Sequence, residues 1–174
     1  IKNNQLFNST TNEFFKFKII IIQPSLERVI LPFTKNLEKL GIKCEIRILD
    51  SSQYIERLNN YDFDMVVTTI PQSFNPGNEQ RNYWTSNAAT TKGGRNLAGI
   101  QNDIIDDLVE KIVFARSRED LVAATKSLDR VLLWNYYFIP QYHSPNNRIA
   151  YWNKFNKPKI KPVFGLDMQS WWMK

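Results

Sequence analysis

The sequence predicts an α/β fold with a parallel β-sheet at its centre. Three observations support this prediction: apolar runs of strand length recur at residues 14–22, 44–49 and 64–69, segments with helical spacing separate them, and the connections are short. Strands that alternate with helices in this way lie parallel and are joined by right-handed crossovers. The order β-α-β-α-β therefore indicates one lobe of an α/β protein, followed by C-terminal helices and strands.

The first strand and the first helix are predicted within residues 14–40. The strand ends in four consecutive isoleucines, a β-branched run that suits a strand covered on both faces. Ser25 is placed to cap the following helix, and Gly41 is placed to end it. Pro32 lies inside this helix, where a proline removes a hydrogen bond, so we expect a kink or a restart there.

The second and third strands are predicted at residues 44–49 and 64–69. The chain's one cysteine, Cys44, excludes an internal disulfide and is interpreted as a core thiol. Asp50 followed by Gln53 resembles a capping box, which opens the helix between these two strands.

The segment 70–101 changes character, because prolines and glycines punctuate a polar stretch, and we expect a long functional loop there. Asn102 and Ser117 are placed to cap two amphipathic helices that follow. The aromatic run at 134–138 is expected to be mostly buried, and residues 148–152 have the pattern of a strand.

Composition and charge limit the classes of function that the sequence supports. The chain has 174 residues, enough for one domain with a core, and a formal net charge of +6. Its lysines and arginines are scattered singly, apart from a modest concentration at 148–161, which favours a solvated surface over a polyanion site. No segment reaches the roughly 18 apolar residues that a membrane span needs. We therefore expect neither a nucleic-acid partner nor direct insertion into a membrane.

Residues that carry catalysis are sparse. His143 is the only histidine, and it is followed by Ser144; adjacent residues in a strand point to opposite faces, so this pair is poorly placed for a catalytic triad. A hydrolase that uses His143 is a minor alternative. One histidine and one cysteine cannot assemble a zinc site, and no phosphate-binding glycine motif follows a strand. We expect no enzyme activity, no metal and no cofactor.

Candidate ligand contacts follow from the predicted sheet, because ligands of open α/β sheets bind beyond the carboxyl ends of the strands. Two of these ends, at 23–25 and 50–52, open helices whose free N–H groups suit an anion. The third, 69–75, combines stiff backbone, polar side chains and one aromatic ring, with an ordinary surface turn as the alternative. The predicted ligand-binding residues are Gln23, Ser25, Thr69, Ile70, Gln72, Ser73, Phe74, Asn75, Asn96 and Leu97.

Several motifs are distinctive when they are taken together. They are the turn at 96–100, the segments 128–134 and 148–155, and the tripeptide Ile139-Pro140-Gln141. In combination they resemble the C-terminal part of extracellular solute-binding proteins of family 5, the oligopeptide and dipeptide class, and within that class the Yej-type subgroup.

This resemblance implies a three-layer lobe like that of periplasmic binding proteins, in which two lobes close over an extended peptide. It implies the second, C-terminal lobe at 14–140 and return strands with a tail at 141–174, while most of the partner lobe is missing. Residues 1–13 are polar and rich in asparagine and threonine, so we expect a loose lead-in there. The implied function is the substrate-binding component of a peptide-type ABC importer. Such a protein works in the periplasm, captures peptides or peptide-like solutes, and delivers them to an inner-membrane permease.

Two further expectations follow. A lone lobe would bind its ligand weakly or not at all, and the alternative function is a basic binding module for polyanions or carbohydrate. Many family members also carry an acidic residue in the loop after the third strand, where it pairs with the α-amino group of a peptide. The matching stretch here is Gln72-Ser73-Phe74, which holds no carboxylate. The resemblance therefore implies a ligand that is blocked, modified or not a peptide.

Overall fold

The computed structural model describes residues 4–141, 148–160 and 165–174. The chain divides into two compact units, Ile1–Phe138 and Ile139–Lys174, which are described separately below.

The first unit contains a parallel sheet of three strands: β3 (Lys16–Ile21), β4 (Lys43–Ile48) and β5 (Met65–Val66), in the order β4-β3-β5. A short antiparallel hairpin, β1 (Phe7–Asn8) and β2 (Glu13–Phe14), precedes it. The isoleucines of the central strand β3 are buried, as expected for a strand covered on both faces. The predicted α/β class and parallel core are thus confirmed, although β5 is shorter than predicted.

Two helices connect these strands: α1 (Glu27–Lys39) and α2 (Ser51–Asn59). The predicted cap of α2 is confirmed, because the Asp50 carboxylate accepts a hydrogen bond from the Gln53 backbone N–H at 3.0 Å. Helix α1 runs without interruption across Pro32, so of the two expected outcomes there, a kink or a restart, the restart is wrong.

The predicted cap of α1 is also wrong. A 3-10 turn, Pro24–Leu26, precedes the helix, and Ser25 lies inside that turn without capping the helix. Proline favours the first position of such a turn, because its fixed φ is pre-organised and it has no N–H to leave unpaired. The helix therefore begins after the turn, at Glu27.

The segment 70–101, predicted as a long loop, contains two short helices, α3 (Glu79–Trp84) and α4 (Ser86–Ala89). The prediction is wrong for this part, because Tyr83 and Trp84 are buried and hold α3 against the core. A helix of one or two turns is stabilised by such packing rather than by helix propensity, which explains why the polar sequence does not reveal it.

Helices α5 (Asp103–Val113) and α6 (Arg118–Trp134) are capped as predicted, by the side chains of Asn102 and Ser117. Together with α3 they form the larger of the two hydrophobic clusters found among the described residues, and β3 with α1 forms the smaller one. The buried members of the larger cluster are Tyr83, Trp84, Ile100, Ile105, Val109, Ile112, Ala124, Leu128 and Leu132. Those of the smaller one are Ile19, Ile21 and Ile30. The Cys44 thiol packs against this smaller cluster, and burial raises the pKa of Cys44.

The prediction that most of the run 134–138 is buried is wrong, because Trp134, Asn135 and Tyr136 are exposed and the last two residues of the run are only half-buried. The buried stripe of α6 is Ala124, Leu128 and Leu132, at a spacing of four residues. Trp134 comes two residues later, about 200° around a helix with 3.6 residues per turn, and is 77% exposed. Tyr136 is exposed as well and has a φ of 57°.

The second unit is small. Its antiparallel strands are β6 (Phe155–Asn156) and β7 (Trp172–Met173), and a 3-10 turn, Met168–Ser170, precedes β7. Residues 148–152 form no strand, contrary to the prediction, because among the described residues no ladder partner pairs with them.

Candidate ligand-binding site

The carboxyl ends of the three parallel strands meet at one edge of the sheet. Ile20 pairs with Val66, so Gln23 and Thr69 each lie three residues beyond a paired position on neighbouring strands. Both side chains are exposed at this edge. The sheet topology thus gives the two segments that follow β3 and β5 a common location.

The helix N-termini at this edge are already partly occupied. The Asp50 carboxylate covers the first turn of α2, and its negative charge opposes a second anion there. Before α1, the 3-10 turn already engages one N–H group, because the Leu26 N–H donates to the Gln23 carbonyl at 3.0 Å. Gln23 and Ser25 therefore offer exposed side chains rather than a helix N-terminus prepared for an anion.

A tyrosine fixes the point at which the chain leaves β5. The Tyr54 hydroxyl donates a hydrogen bond of 2.9 Å to the Val67 carbonyl, and Tyr54 is the buried residue of α2. Burial raises the pKa of Tyr54, which keeps the phenol protonated and able to donate. The segment that begins at Thr69 therefore starts from a fixed position.

The segment from Thr69 to Asn75, hereafter the β5–α3 loop, is held on its inner side by Gln80. Ile70 packs against the larger hydrophobic cluster. The Gln72 side-chain carbonyl accepts a 2.7 Å hydrogen bond from Gln80 Nε2, and Gln80 Oε1 accepts one of 2.8 Å from Trp84 Nε1. Because Gln80 is only 3% exposed, this chain of amides ties the loop to the core of the first unit.

The outer side of the loop is held by α6. Arg118 Nη1 donates to the Phe74 carbonyl at 2.9 Å and to Asn75 Oδ1 at 2.8 Å. Ser73 Oγ accepts from the Asn75 N–H at 3.3 Å. The backbone is thereby fixed while the Phe74 ring stays 69% exposed. This ring is available for contact with a ligand.

The N-terminus of α3 adds one ionisable group near the loop. The Glu79 carboxylate accepts from the Gly77 N–H at 3.0 Å and from Gln80 Nε2 at 3.3 Å. Burial alone would raise the pKa of Glu79, but hydrogen bonds from the Glu79 and Gly77 N–H groups and from Gln80 together lower it. Glu79 is therefore an anion that the local backbone already binds.

Asn96 and Leu97 differ from the other predicted contacts. Asn96 is 1% exposed, and its amide donates to the carbonyls of Thr85 and Ile100, both at 3.0 Å, while its oxygen accepts from the Ile100 N–H. The side-chain amide of Asn96 therefore closes the turn at Ile100 and ties this turn to Thr85, between α3 and α4. Leu97 is half-buried. The ligand-binding role of these two residues stays a prediction.

A cavity of about 650 Å³ lies elsewhere in the first unit, between α3, α4 and α5. An ion pair lines it: Arg81 Nε and Nη2 donate to the two carboxylate oxygens of Glu110 at 2.7 and 2.6 Å. This bonding lowers the pKa of Glu110 and raises that of Arg81. None of the ten predicted ligand-binding residues lines this cavity. We place the candidate site at the loop, because its backbone is fixed while an aromatic ring is exposed.

Sequence reasoning missed Tyr54, Gln80 and Arg118. Each positions the β5–α3 loop from a separate helix, so no local sequence pattern indicates their role.

His143, on which the hydrolase alternative depends, lies outside the described residues. Among the described residues, no group of three histidine, cysteine or acidic side chains is arranged to hold a metal. In the same part of the chain, no helix combines the length and the apolarity that crossing a bilayer requires.

No family model matches the chain, but similar proteins are found by sequence. It is 45% identical over 175 residues to an uncharacterised protein of Sinorhizobium fredii, y4wM, and 42% identical over 173 residues to YejA of Agrobacterium fabrum, a probable peptide-binding protein. It is 35% identical over 172 residues to YepA of the same species, a peptidoglycan-binding protein. The matches cover 99% or 100% of this chain but only 26% to 28% of those proteins.

Solved structures share the fold. The oligopeptide-binding protein AppA of Bacillus subtilis, in complex with a nonapeptide, superimposes with a TM-score of 0.80 at 22% identity, over 99% of this chain and 34% of AppA. A periplasmic oligopeptide-binding protein of Thermotoga maritima, bound to mannohexaose, gives a TM-score of 0.65 at 19% identity, over 80% of this chain and 27% of its own.

The chain thus shares the fold of the matching parts of these oligopeptide-binding proteins. By sequence, the chain is similar over nearly its whole length to YejA-type proteins. The resemblance stated from the motifs is therefore confirmed. The chain spans about a quarter of the length of these relatives, in agreement with the expected partial lobe.

Proposed function

We propose that this chain forms part of a solute-binding protein that captures peptides or peptide-like solutes for an ABC importer. The observation that carries the proposal is the β5–α3 loop. It follows a parallel strand at the ligand-binding edge of the sheet, Gln80 and Arg118 fix its backbone, and it presents the Phe74 ring to solvent. Such a rigid loop binds a ligand with little loss of conformational entropy.

The loop suits an extended ligand. Exposed polar groups of Gln72 and Ser73 supply hydrogen bonds to a ligand backbone, and the Phe74 ring takes an apolar side chain. No carboxylate lies at residues 72–74, and Glu79 is already bound to the Gly77 N–H. We therefore propose that the ligand lacks a free α-amino group at this position, as in a blocked or modified peptide or a non-peptide solute.

Further parts of the proposal follow from the family. The protein would work in the periplasm, deliver its ligand to an inner-membrane permease and catalyse no reaction. Residues 14–140 would form the C-terminal lobe, and 141–174 would return toward the first lobe. Since one lobe provides only one wall of a cleft, we propose that the chain alone binds short peptides weakly or not at all; a micromolar affinity by calorimetric titration would contradict this.

The loop is tested by NMR titration of the ¹⁵N-labelled chain with short peptides at millimolar concentration, because NMR detects binding that is too weak for calorimetry. We expect shift changes at residues 69–75, larger for N-acetylated than for free peptides. Phe74→Ala should reduce these changes several-fold. The matched control is Phe114→Ala, which removes an equally exposed phenylalanine, 70% against 69%, far along the chain. Equal effects of the two variants would reject the loop as the site.

A second candidate is a binding module for carbohydrate or polyanions. It is favoured by the net charge of +6 and by the names of two similar proteins, the peptidoglycan-binding YepA and the Thermotoga protein bound to mannohexaose. Binding to heparin that weakens steeply with salt would support a polyanion site. Shift changes at 69–75 with a neutral oligosaccharide, and none with peptides, would support a carbohydrate ligand.

A further inference from the structure

The cavity between α3, α4 and α5 has a wall that the chain itself fixes. The Tyr61 hydroxyl donates to the carbonyls of Thr91 at 3.1 Å and Ala88 at 3.4 Å, and burial raises the pKa of Tyr61, which keeps this donor protonated. Gly94 completes the wall, because a Cβ there would lie 2.7 Å from the Ala88 carbonyl oxygen and 2.8 Å from that of Thr91. A ligand therefore need not order this wall when it binds.

Two of the charged side chains in the cavity satisfy each other. Arg81 and Glu110 form the ion pair described above, and Arg81 Nη1 also donates to Asn78 Oδ1 at 2.7 Å. This pair joins α3 to α5 and its charges cancel. Charge that is available to a ligand must therefore come from Arg95 and Asp106, the other two ionisable residues among the described residues that line the cavity.

Neutral groups hold Arg95 and Asp106 in place. Arg95 Nη1 donates to the Tyr83 hydroxyl at 2.9 Å, and Asp106 Oδ1 accepts from the Ser86 N–H at 2.8 Å. Neither side chain belongs to an ion pair within the described part of the chain. Both are thus positioned at the corner between α3 and α4, and neither charge is cancelled by the protein.

We propose that this cavity binds a small zwitterion, of the size of a dipeptide with free termini. The ligand carboxylate pairs with Arg95, and the ligand ammonium group pairs with Asp106. The volume of about 650 Å³ lies in the range of small-molecule pockets, about 300–1,000 Å³. Asn87 and Thr91 line the same cavity, and their side chains are exposed to form hydrogen bonds with a peptide group.

The charges favour a zwitterion over simpler ligands. An anion alone would pair with Arg95 but would be repelled by Asp106, and a cation alone would meet the reverse. A neutral sugar would use neither charge. Only a ligand that carries both charges complements both side chains.

This site does not depend on the proposed function of the β5–α3 loop, and its chemistry is the opposite. The loop has no carboxylate at residues 72–74, so its proposed ligand lacks a free α-amino group. The cavity offers the Asp106 carboxylate to exactly such a group. N-acetylation of a peptide should therefore weaken binding at the cavity and favour binding at the loop.

The test is NMR titration of the ¹⁵N-labelled chain with Ala-Ala, with N-acetyl-Ala-Ala and with Ala-Ala amide. We expect Ala-Ala to shift resonances at 81–95 and 106–110, and each blocked dipeptide to bind there about tenfold more weakly, the loss expected for one charge-assisted hydrogen bond. Asp106→Asn keeps an acceptor for the Ser86 N–H and should abolish the discrimination against N-acetyl-Ala-Ala. Arg95→Gln should abolish the discrimination against the amide.

The matched controls are Asp107→Asn and Arg116→Gln, which remove the same charges from exposed residues outside the cavity lining. They should leave the shifts unchanged. If Arg95→Gln does not fold, Arg95→Lys keeps the positive charge and should keep the preference for Ala-Ala over its amide.

Equal responses to the three dipeptides, equal effects of the variants and their controls, or no shift at the cavity would overturn the proposal. Shifts confined to 69–75 would also overturn it while leaving the proposed function intact. Shifts at the cavity with none at 69–75 would remove only the proposed role of the loop.

Discussion

Gln80 shows how one buried side chain organises a binding loop. Its amide accepts from Trp84 and donates to Gln72, so it connects the core of the first unit to the β5–α3 loop through two hydrogen bonds. A buried polar group of this kind is costly when it loses its partner, which makes the pair of bonds specific for one loop conformation.

Replacing Gln80 by alanine should therefore loosen the loop and destabilise the first unit. The Trp84 N–H would remain buried without its acceptor, at a cost of about 1–3 kcal/mol in the free energy of unfolding. Gln72→Ala, in contrast, removes an exposed partner and should cost less than about 1 kcal/mol. Urea unfolding measures both variants, and a Gln72→Ala variant as unstable as Gln80→Ala would contradict this assignment.

Asn96 separates a structural role from a ligand contact. Asn96→Ala removes three hydrogen bonds, two to Ile100 and one to Thr85. We expect it to lower the free energy of unfolding by about 2–4 kcal/mol, since each bond contributes roughly 1 kcal/mol and partner groups stay buried. Leu97→Ala serves as the comparison, because it truncates the half-buried neighbour without breaking that network. If Asn96→Ala keeps wild-type stability and changes only the peptide-induced NMR shifts, Asn96 is a ligand contact.

Elements of this chain differ in how they are specified. The caps of α2, α5 and α6 depend only on neighbouring residues. Asp50, Asn102 and Ser117 each accept a hydrogen bond from a backbone N–H in the first turn of the helix that follows. The short α3 has no such side-chain cap. It begins at Glu79, whose carboxylate binds the preceding Gly77 N–H.

This anchoring of α3 should depend on pH. The folded-state pKa of Glu79 lies below the ordinary value of 4.5, so its contribution is fully present above that pH and is lost as the pH falls through the folded pKa. The free energy of unfolding of Glu79→Gln should therefore approach that of the wild type as the pH falls, which urea unfolding at several pH values measures. Direct NMR titration of the Glu79 carboxyl is the check, and a midpoint at or above the ordinary value would refute the assignment.

At the scale of the whole molecule, stability is distributed unevenly. The first unit holds both hydrophobic clusters, while no described residue of the second unit is buried. In the chain alone, we expect amides of β3 and α5 to be protected from hydrogen exchange and those of the second unit to exchange orders of magnitude faster. Residues 148–160 exchanging as slowly as β3 would show that the second unit is stable by itself.

The sequence by itself determined the parallel β-α-β-α-β core and the caps of α2, α5 and α6, because strand periodicity and capping depend on neighbours within a few residues. The tertiary structure decided what depends on distant partners. Gln80 and Arg118 position the β5–α3 loop from 8 and 44 residues away along the chain. Helix α3 forms because Trp84 is buried against the core, and Trp134 is exposed because the buried stripe of α6 lies on the opposite face. Packing and long-range hydrogen bonds are not encoded in any short window, so only the folded chain reveals them.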